Sequence, residues 1–219
     1  AYYFITRSDP SRSWDKETIY ETTSWRTNVW KFAGTPITSG MEKAGAGPLQ
    51  ELIDSYEMID GTQPILGYSD AEHLQPILNT ASSYDPKNPY ANRDPRFYAT
   101  IFCPGTEYPC SDVLTDDMKY WNAWKLMADE GSSTGYKYVT LIQDQLNKGI
   151  GGNSSGYYQK KGLDPDLTQA TVYDADIDWI EIRFAEVLMN YGECANELGK
   201  SGEALQVLYD IRKRAGIES

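Results

Sequence analysis

The sequence predicts a mainly α-helical fold with loop-rich regions and a few short strands. Three observations lead there. Apolar residues recur at helical spacing near the C-terminal end, Pro, Gly, Asn and Asp punctuate the middle of the chain, and only short runs suit strands.

Residues 1–47 are polar and aromatic, carry turn signals at Asp9-Pro10-Ser11 and Gly34-Thr35-Pro36, and predict irregular structure with short strands. From Pro48, the three- and four-residue spacing of Leu49, Leu52, Ile53 and Tyr56 predicts a short amphipathic helix that a turn at Asp60-Gly61 ends. Residues 62–83 are a connection with a short helix near Glu72–Leu78, weakened by Pro76. Residues 84–96 are a loop rich in Pro, Asn and Asp, and Phe97–Phe102 reads as a strand. Residues 103–161 hold Trp121, Trp124 and many tyrosines, with a flexible loop over Gly149–Gly156.

The clearest helices come last. Ile180, Phe184, Val187, Leu188, Tyr191, Ala195 and Leu198 define one apolar helical face, and Gly199 suits its end. Asp174-Ala175-Asp176-Ile177-Asp178 is expected to cap this helix ahead of Trp179. Ala204, Leu208, Ile211 and Ala215 mark a second helix, stopped by Gly216. Small residues at Gly192, Ala195 and Ala204 would let the two approach closely, so 178–216 resembles one tetratricopeptide-type unit. Such a unit cannot bury its face alone, which implies that the sequence is a fragment or that its packing partners lie in another chain.

The net charge of −12, from 32 acidic against 20 basic residues, disfavours nucleic acid as a partner. Arg212-Lys213-Arg214 sits at a helix end, where cations favour the macrodipole. Of three cysteines, Cys103 and Cys110 either close a small loop as a disulfide or leave Cys103 as a core residue, and Cys194 is expected to be a buried thiol. No run is apolar enough to span a bilayer, and no leader or lipid-attachment cysteine lies near Ala1, so the chain as given is expected to be soluble.

One loop stands out: Tyr84-Asp85-Pro86-Lys87-Asn88-Pro89-Tyr90-Ala91-Asn92-Arg93-Asp94-Pro95-Arg96-Phe97. Its prolines fix a bent path, Asn88, Asn92 and Asp94 suit bonds to nearby amides, and Arg93 and Arg96 carry forked donors for carbonyls or carboxylates. We read Asn88, Tyr90, Arg93, Asp94 and Arg96 as architectural. This run, continued by Tyr98-Ala99-Thr100-Ile101, closely resembles the hallmark of the SusD/RagB family of outer-membrane nutrient-binding lipoproteins. Three further stretches resemble it in the same order: Pro48–Gly61, Gly156–Lys161, and Ile182–Tyr191 with Arg212–Gly216.

The resemblance implies one partial domain over 1–219, an incomplete SusD-like α/α superhelix. It further implies non-catalytic capture of an oligosaccharide, polysaccharide or other nutrient at the bacterial outer-membrane surface. Delivery would be to a SusC-like TonB-dependent transporter, with membrane contact only through a lipid anchor absent from this chain, and no cofactor is expected.

Sugar rings present C–H faces that stack on aromatics while their hydroxyls need planar polar partners. Trp121 and Trp124 would share a face if their stretch is helical, and with Tyr120, Trp25, Trp30 and Asn153 they are the candidate glycan contacts. Trp14 stands with Trp25 and Trp30; Tyr108, Tyr136, Tyr138 and Asn153 are weaker candidates, and core packing is the competing role for Trp14, Trp25, Trp30, Trp121 and Trp124. Alternative functions are a glycoside hydrolase and a protein-interaction scaffold. His73 is the only histidine, which leaves little for a histidine-based catalytic unit or metal site. The Asp174–Asp178 run lacks the glycine and final glutamate of a calcium loop. Carboxylate pairs for glycoside hydrolysis are too numerous among 32 acidic residues to single out.

Overall fold

A computed structural model of the chain describes residues 16–22, 47–107, 155, 157–162 and 179–217, and the backbone of 124–128 and 136–140. Strand β1 (Thr18–Thr22) is followed by helix α1 (Gln50–Ser55), strands β2 (Ile65–Tyr68) and β3 (Pro76–Leu78), and helix α2 (Pro95–Thr100). Strands β4 (Ile101–Phe102), β5 (Trp124–Ala128), β6 (Tyr136–Thr140), β7 (Tyr158–Gln159) and β8 (Trp179–Arg183) precede the terminal helices α3 (Phe184–Glu197) and α4 (Ser201–Arg214). The described strands pair two by two and antiparallel: β1 with β8, β2 with β3, β4 with β7, and β5 with β6.

The helix pair is built on small residues. Gly192, Ala195 and Ala204 are buried where α3 meets α4. A Cβ added at Gly192 would lie 3.2 Å from Val207 Cγ1, so a hydrogen there lets the helices close. Both helices end in the same way. Lys200 N–H donates to Ala195 O and Gly199 N–H to Asn196 O, with Gly199 at φ +74°. Ile217 N–H donates to Arg212 O and Gly216 N–H to Lys213 O, with Gly216 at φ +88°. These are two Schellman motifs, which is why glycine stands at both stops.

The face predicted for α3 is buried only in part. Of its members, Ala195 is buried, but Phe184, Val187, Tyr191 and Leu198 are exposed, and the contact with α4 runs along the narrow stripe of small residues. Cys194 lies off that stripe and is exposed, which corrects the expectation of a buried thiol. Ile180 belongs to β8, because pairing with β1 holds 179–183 extended up to the helix start. The expected aspartate cap lies outside the described residues. The first turn of α3 is met instead by Glu17, whose carboxylate accepts from Ala185 N–H at 3.3 Å and from Arg183 at 2.9 Å.

Two further expectations change. The segment predicted as a helix near Glu72–Leu78 is the turn and second strand of the β2–β3 hairpin, where Pro76 opens an edge strand and Asp70 accepts from Leu74 and Gln75 N–H. The strand predicted over Phe97–Phe102 is helical until Thr100. Asp94 caps it by accepting from Arg96 N–H at 2.8 Å, and Pro95 occupies the first turn. Phe97 thereby turns inward to form a core with Ile53, Ile101, Cys103 and Tyr157. Cys103 is a free, buried thiol beside Thr106 Oγ1 at 3.6 Å, so it takes the core role rather than a disulfide, and burial raises its pKa. Cys110 lies outside the described residues.

Candidate functional site

The loop around Arg93 is a junction. The Arg93 side chain is 2% exposed and donates to three backbone carbonyls: Ile53 at 2.5 Å, Tyr56 at 2.8 Å and Pro89 at 3.0 Å. It thus ties the end of α1 to the proline loop. Its guanidinium lies 5.2 Å from the Phe97 ring centroid and 5.7 Å from that of Tyr84. Burial lowers its pKa, and the nearby Tyr84 and Asp54 act in the opposite sense. Asp94, also buried, takes the Arg96 guanidinium as well as the Arg96 amide. Asn92 works through its backbone, with φ at 54° and its carbonyl receiving Ile59 N–H at 2.8 Å. Asn88 likewise contributes its carbonyl, to Ala91 N–H at 3.1 Å.

The terminal helices dock on the same junction. Arg212 meets both carboxylate oxygens of Glu57 at 2.7 and 2.6 Å, and the Glu57 carbonyl receives Asp94 N–H. Ile217 is buried, and a Cβ at Gly216 would lie 3.6 Å from Pro95. A cleft of about 800 Å³ opens between the loops and the helix pair, rimmed by Arg96, Lys161, Arg183, Arg212 and Arg214. Glu17, Glu57 and Asp94 balance part of that charge. The Lys161 pKa is lowered by burial and by Arg183.

On another side of the loop lies a pocket of about 310 Å³, lined by Gln50, Tyr84, Pro86, Pro89, Tyr90, Ser155 and Tyr157. Its polar groups are already ordered. Tyr90 and Tyr157 hydroxyls lie 3.0 Å apart, Tyr157 Oη donates to Gln50 Oε1 at 2.9 Å, and Gln50 Nε2 donates to Asp54 Oδ1 at 2.8 Å. Asp54 also accepts from Tyr68 Oη at 2.7 Å, and the Tyr68 pKa is raised by burial first and by Asp54 next. Tyr68 in turn stacks on His73, with centroids 4.4 Å apart.

Among the sequence-predicted glycan contacts, Tyr120, Trp121, Trp25, Trp30 and Asn153 lie outside the described residues, as do Trp14 and Tyr108. Trp124 begins strand β5, so the shared helical face drawn for Trp121 and Trp124 does not hold. Its backbone pairs instead across the β5–β6 hairpin, Trp124 with Thr140, Leu126 with Tyr138 and Ala128 with Tyr136. Directly paired and alternate positions share a face, so 124, 136 and 138 fall on one side of this ribbon. Gln50, Tyr84 and Tyr157 were not among the candidates. The Gln50–Tyr157 and Tyr90–Tyr157 contacts that build the pocket span 107 and 67 residues in sequence, which local spacing does not show.

A family model described as the SusD family matches residues 8–219. The chain belongs to the SusD family. Solved SusD-like structures agree in fold. A SusD-like protein from Bacteroides fragilis superposes with a TM-score of 0.61 at 25% identity, over 96% of this chain and 38% of that one. A SusD-like carbohydrate binding protein from the same species gives a TM-score of 0.55 at 20% identity, over 93% of this chain and 34% of that one. The chain therefore spans a little over a third of the length of these SusD relatives. A search of curated proteins finds no significant match. In SusD terms, the hallmark loop is the Arg93 junction: its charged residues hold backbone together, and its proline side walls a pocket.

Proposed function

We propose that the protein binds a neutral glycan without cleaving it, at the outer-membrane surface of a bacterium, and passes it to a SusC-like TonB-dependent transporter. The parent protein would be a surface lipoprotein. The observation that carries the reading is membership of the SusD family over residues 8–219. One structural relative is itself described as carbohydrate binding. The composition supports it, with 17 tyrosines, 6 tryptophans and a net charge of −12 that suits neutral sugars better than anions.

The β5–β6 register supports a revised set of stacking candidates. Positions 124, 136 and 138 share one face and carry Trp, Tyr and Tyr. Trp121, Tyr120, Trp25, Trp30 and Asn153 remain candidate contacts as well. Replacing Trp121 or Trp124 by Ala should weaken retention on an affinity gel that contains the bound glycan. Retention unchanged after replacement of all six tryptophans would refute the stacking reading.

The exposed Phe184, Val187, Met189, Leu205 and Leu208 of the helix pair favour a second reading, a scaffold that contacts protein through α3 and α4. Substituting these residues should leave glycan retention intact under the first reading. Under the second, no glycan is retained by the unaltered chain.

A further inference from the structure

The pocket beside the hallmark loop has the chemistry of a sugar subsite. Its volume, about 310 Å³, falls at the lower end of the usual range for small-molecule sites. Tyr84, Tyr90 and Pro86 line it with apolar groups for sugar C–H contacts, while Tyr157, at 6% exposure, belongs mainly to the adjoining core. Gln50 and Ser155 add polar groups, and no charged side chain is among its described lining residues.

The Gln50 amide is held at both ends. Oε1 accepts from Tyr157 at 2.9 Å and Nε2 donates to Asp54 at 2.8 Å. An amide has two donor and two acceptor positions, so one of each remains to meet a pair of adjacent ring hydroxyls. Its orientation is set in advance by Asp54, which Tyr68 fixes from behind at 2.7 Å. Tyr84 is held from behind as well, by the buried Arg93 guanidinium 5.7 Å from its centroid. Rigid aromatic walls and a prealigned amide lower the cost of ordering on binding. A carboxylate or phosphate is disfavoured, because the Asp54 carboxylate lies one hydrogen bond behind Gln50.

We propose that the pocket lined by Gln50, Tyr84, Tyr90, Ser155 and Tyr157 binds one neutral pyranose ring of an oligosaccharide, as a subsite additional to the candidate contacts Trp124, Tyr136 and Tyr138. This rests on the glycan-binding reading and assigns a ligand role to a loop otherwise engaged in holding the fold.

The test uses the full chain and saturation-transfer NMR with neutral oligosaccharides of glucose, galactose, mannose and xylose. Gln50→Ala and Tyr84→Ala should each weaken the bound sugar roughly three- to tenfold, as expected for one lost polar or stacking contact, and Ser155→Trp should block the pocket. Thermal unfolding of each variant checks the fold. If Tyr84→Ala unfolds through its contact with Arg93, Gln50→Ala decides, since its side chain lies at the surface. Affinity unchanged in folded Gln50→Ala and Ser155→Trp, with Trp124→Ala still weakening binding, overturns the subsite alone. Failure of the unaltered chain to bind any of these sugars overturns the glycan reading and the subsite together.

Discussion

Replacing Arg93 tests whether the hallmark loop is held as described. In Arg93→Met the Ile53 carbonyl keeps a bond from Tyr56 N–H at 3.3 Å, but the Tyr56 and Pro89 carbonyls lose the guanidinium. At about 1–3 kcal/mol for each stranded carbonyl, the loss is about 2–6 kcal/mol. Part of it is returned. Arg93 Nε is buried without a partner, and removing it relieves about 1–3 kcal/mol of the same kind. The net expected destabilisation is about 1–3 kcal/mol. Arg93→Ala also empties the space between Tyr84 and Phe97 and should cost about 2 kcal/mol more. Urea denaturation followed by circular dichroism measures both, as a lowered midpoint at unchanged slope. Two variants each within about 0.5 kcal/mol of the unaltered chain, the range usual for an ordinary surface change, would refute the junction.

Gly192→Ala gains about 1 kcal/mol of helix propensity but presses on Val207, so combining it with Val207→Ala should stabilise more than the two single effects sum to; a thermodynamic cycle by denaturation reads the coupling. Gly61→Ala should destabilise by about 1–2 kcal/mol, because Gly61 sits at φ +80° and a Cβ there would collide with the Arg212 guanidinium that holds Glu57; thermal unfolding checks it. Tyr68 and Tyr157 have pKa values raised in the folded state, so their neutral forms stabilise the fold below the ordinary value of 10.0 and that contribution is lost as pH rises above it. Stability should therefore fall on alkaline titration, and Tyr68→Phe should reduce the fall; an unaltered pH profile would contradict the Asp54–Tyr68 contact.

What could be read from the sequence was local. Gly199 and Gly216 were legible as helix stops because a left-handed residue is required there, and Gly192, Ala195 and Ala204 were legible as a close approach because only small residues permit it. The apolar residues of α3 misled, since periodicity reports a face without saying what covers it, and Phe184 and Tyr191 are exposed. The Asp94-Pro95 pair was a helix start that β-rich neighbours Phe97, Tyr98 and Ile101 obscured. Glu17 at the first turn of α3 acts across 168 residues, so no capping pattern near Phe184 could reveal it. The tyrosine pocket was hidden for the same reason, although Tyr84, Tyr90 and Tyr157 all stand in motifs that the sequence displayed.

The proposed role is binding without cleavage. The most direct measurement incubates the full chain with the panel of neutral oligosaccharides, records binding by calorimetry and analyses the recovered sugar by chromatography. Saturable binding and sugar recovered intact are expected. Shortened sugar, with cleavage abolished by one Asp or Glu substitution, would contradict it.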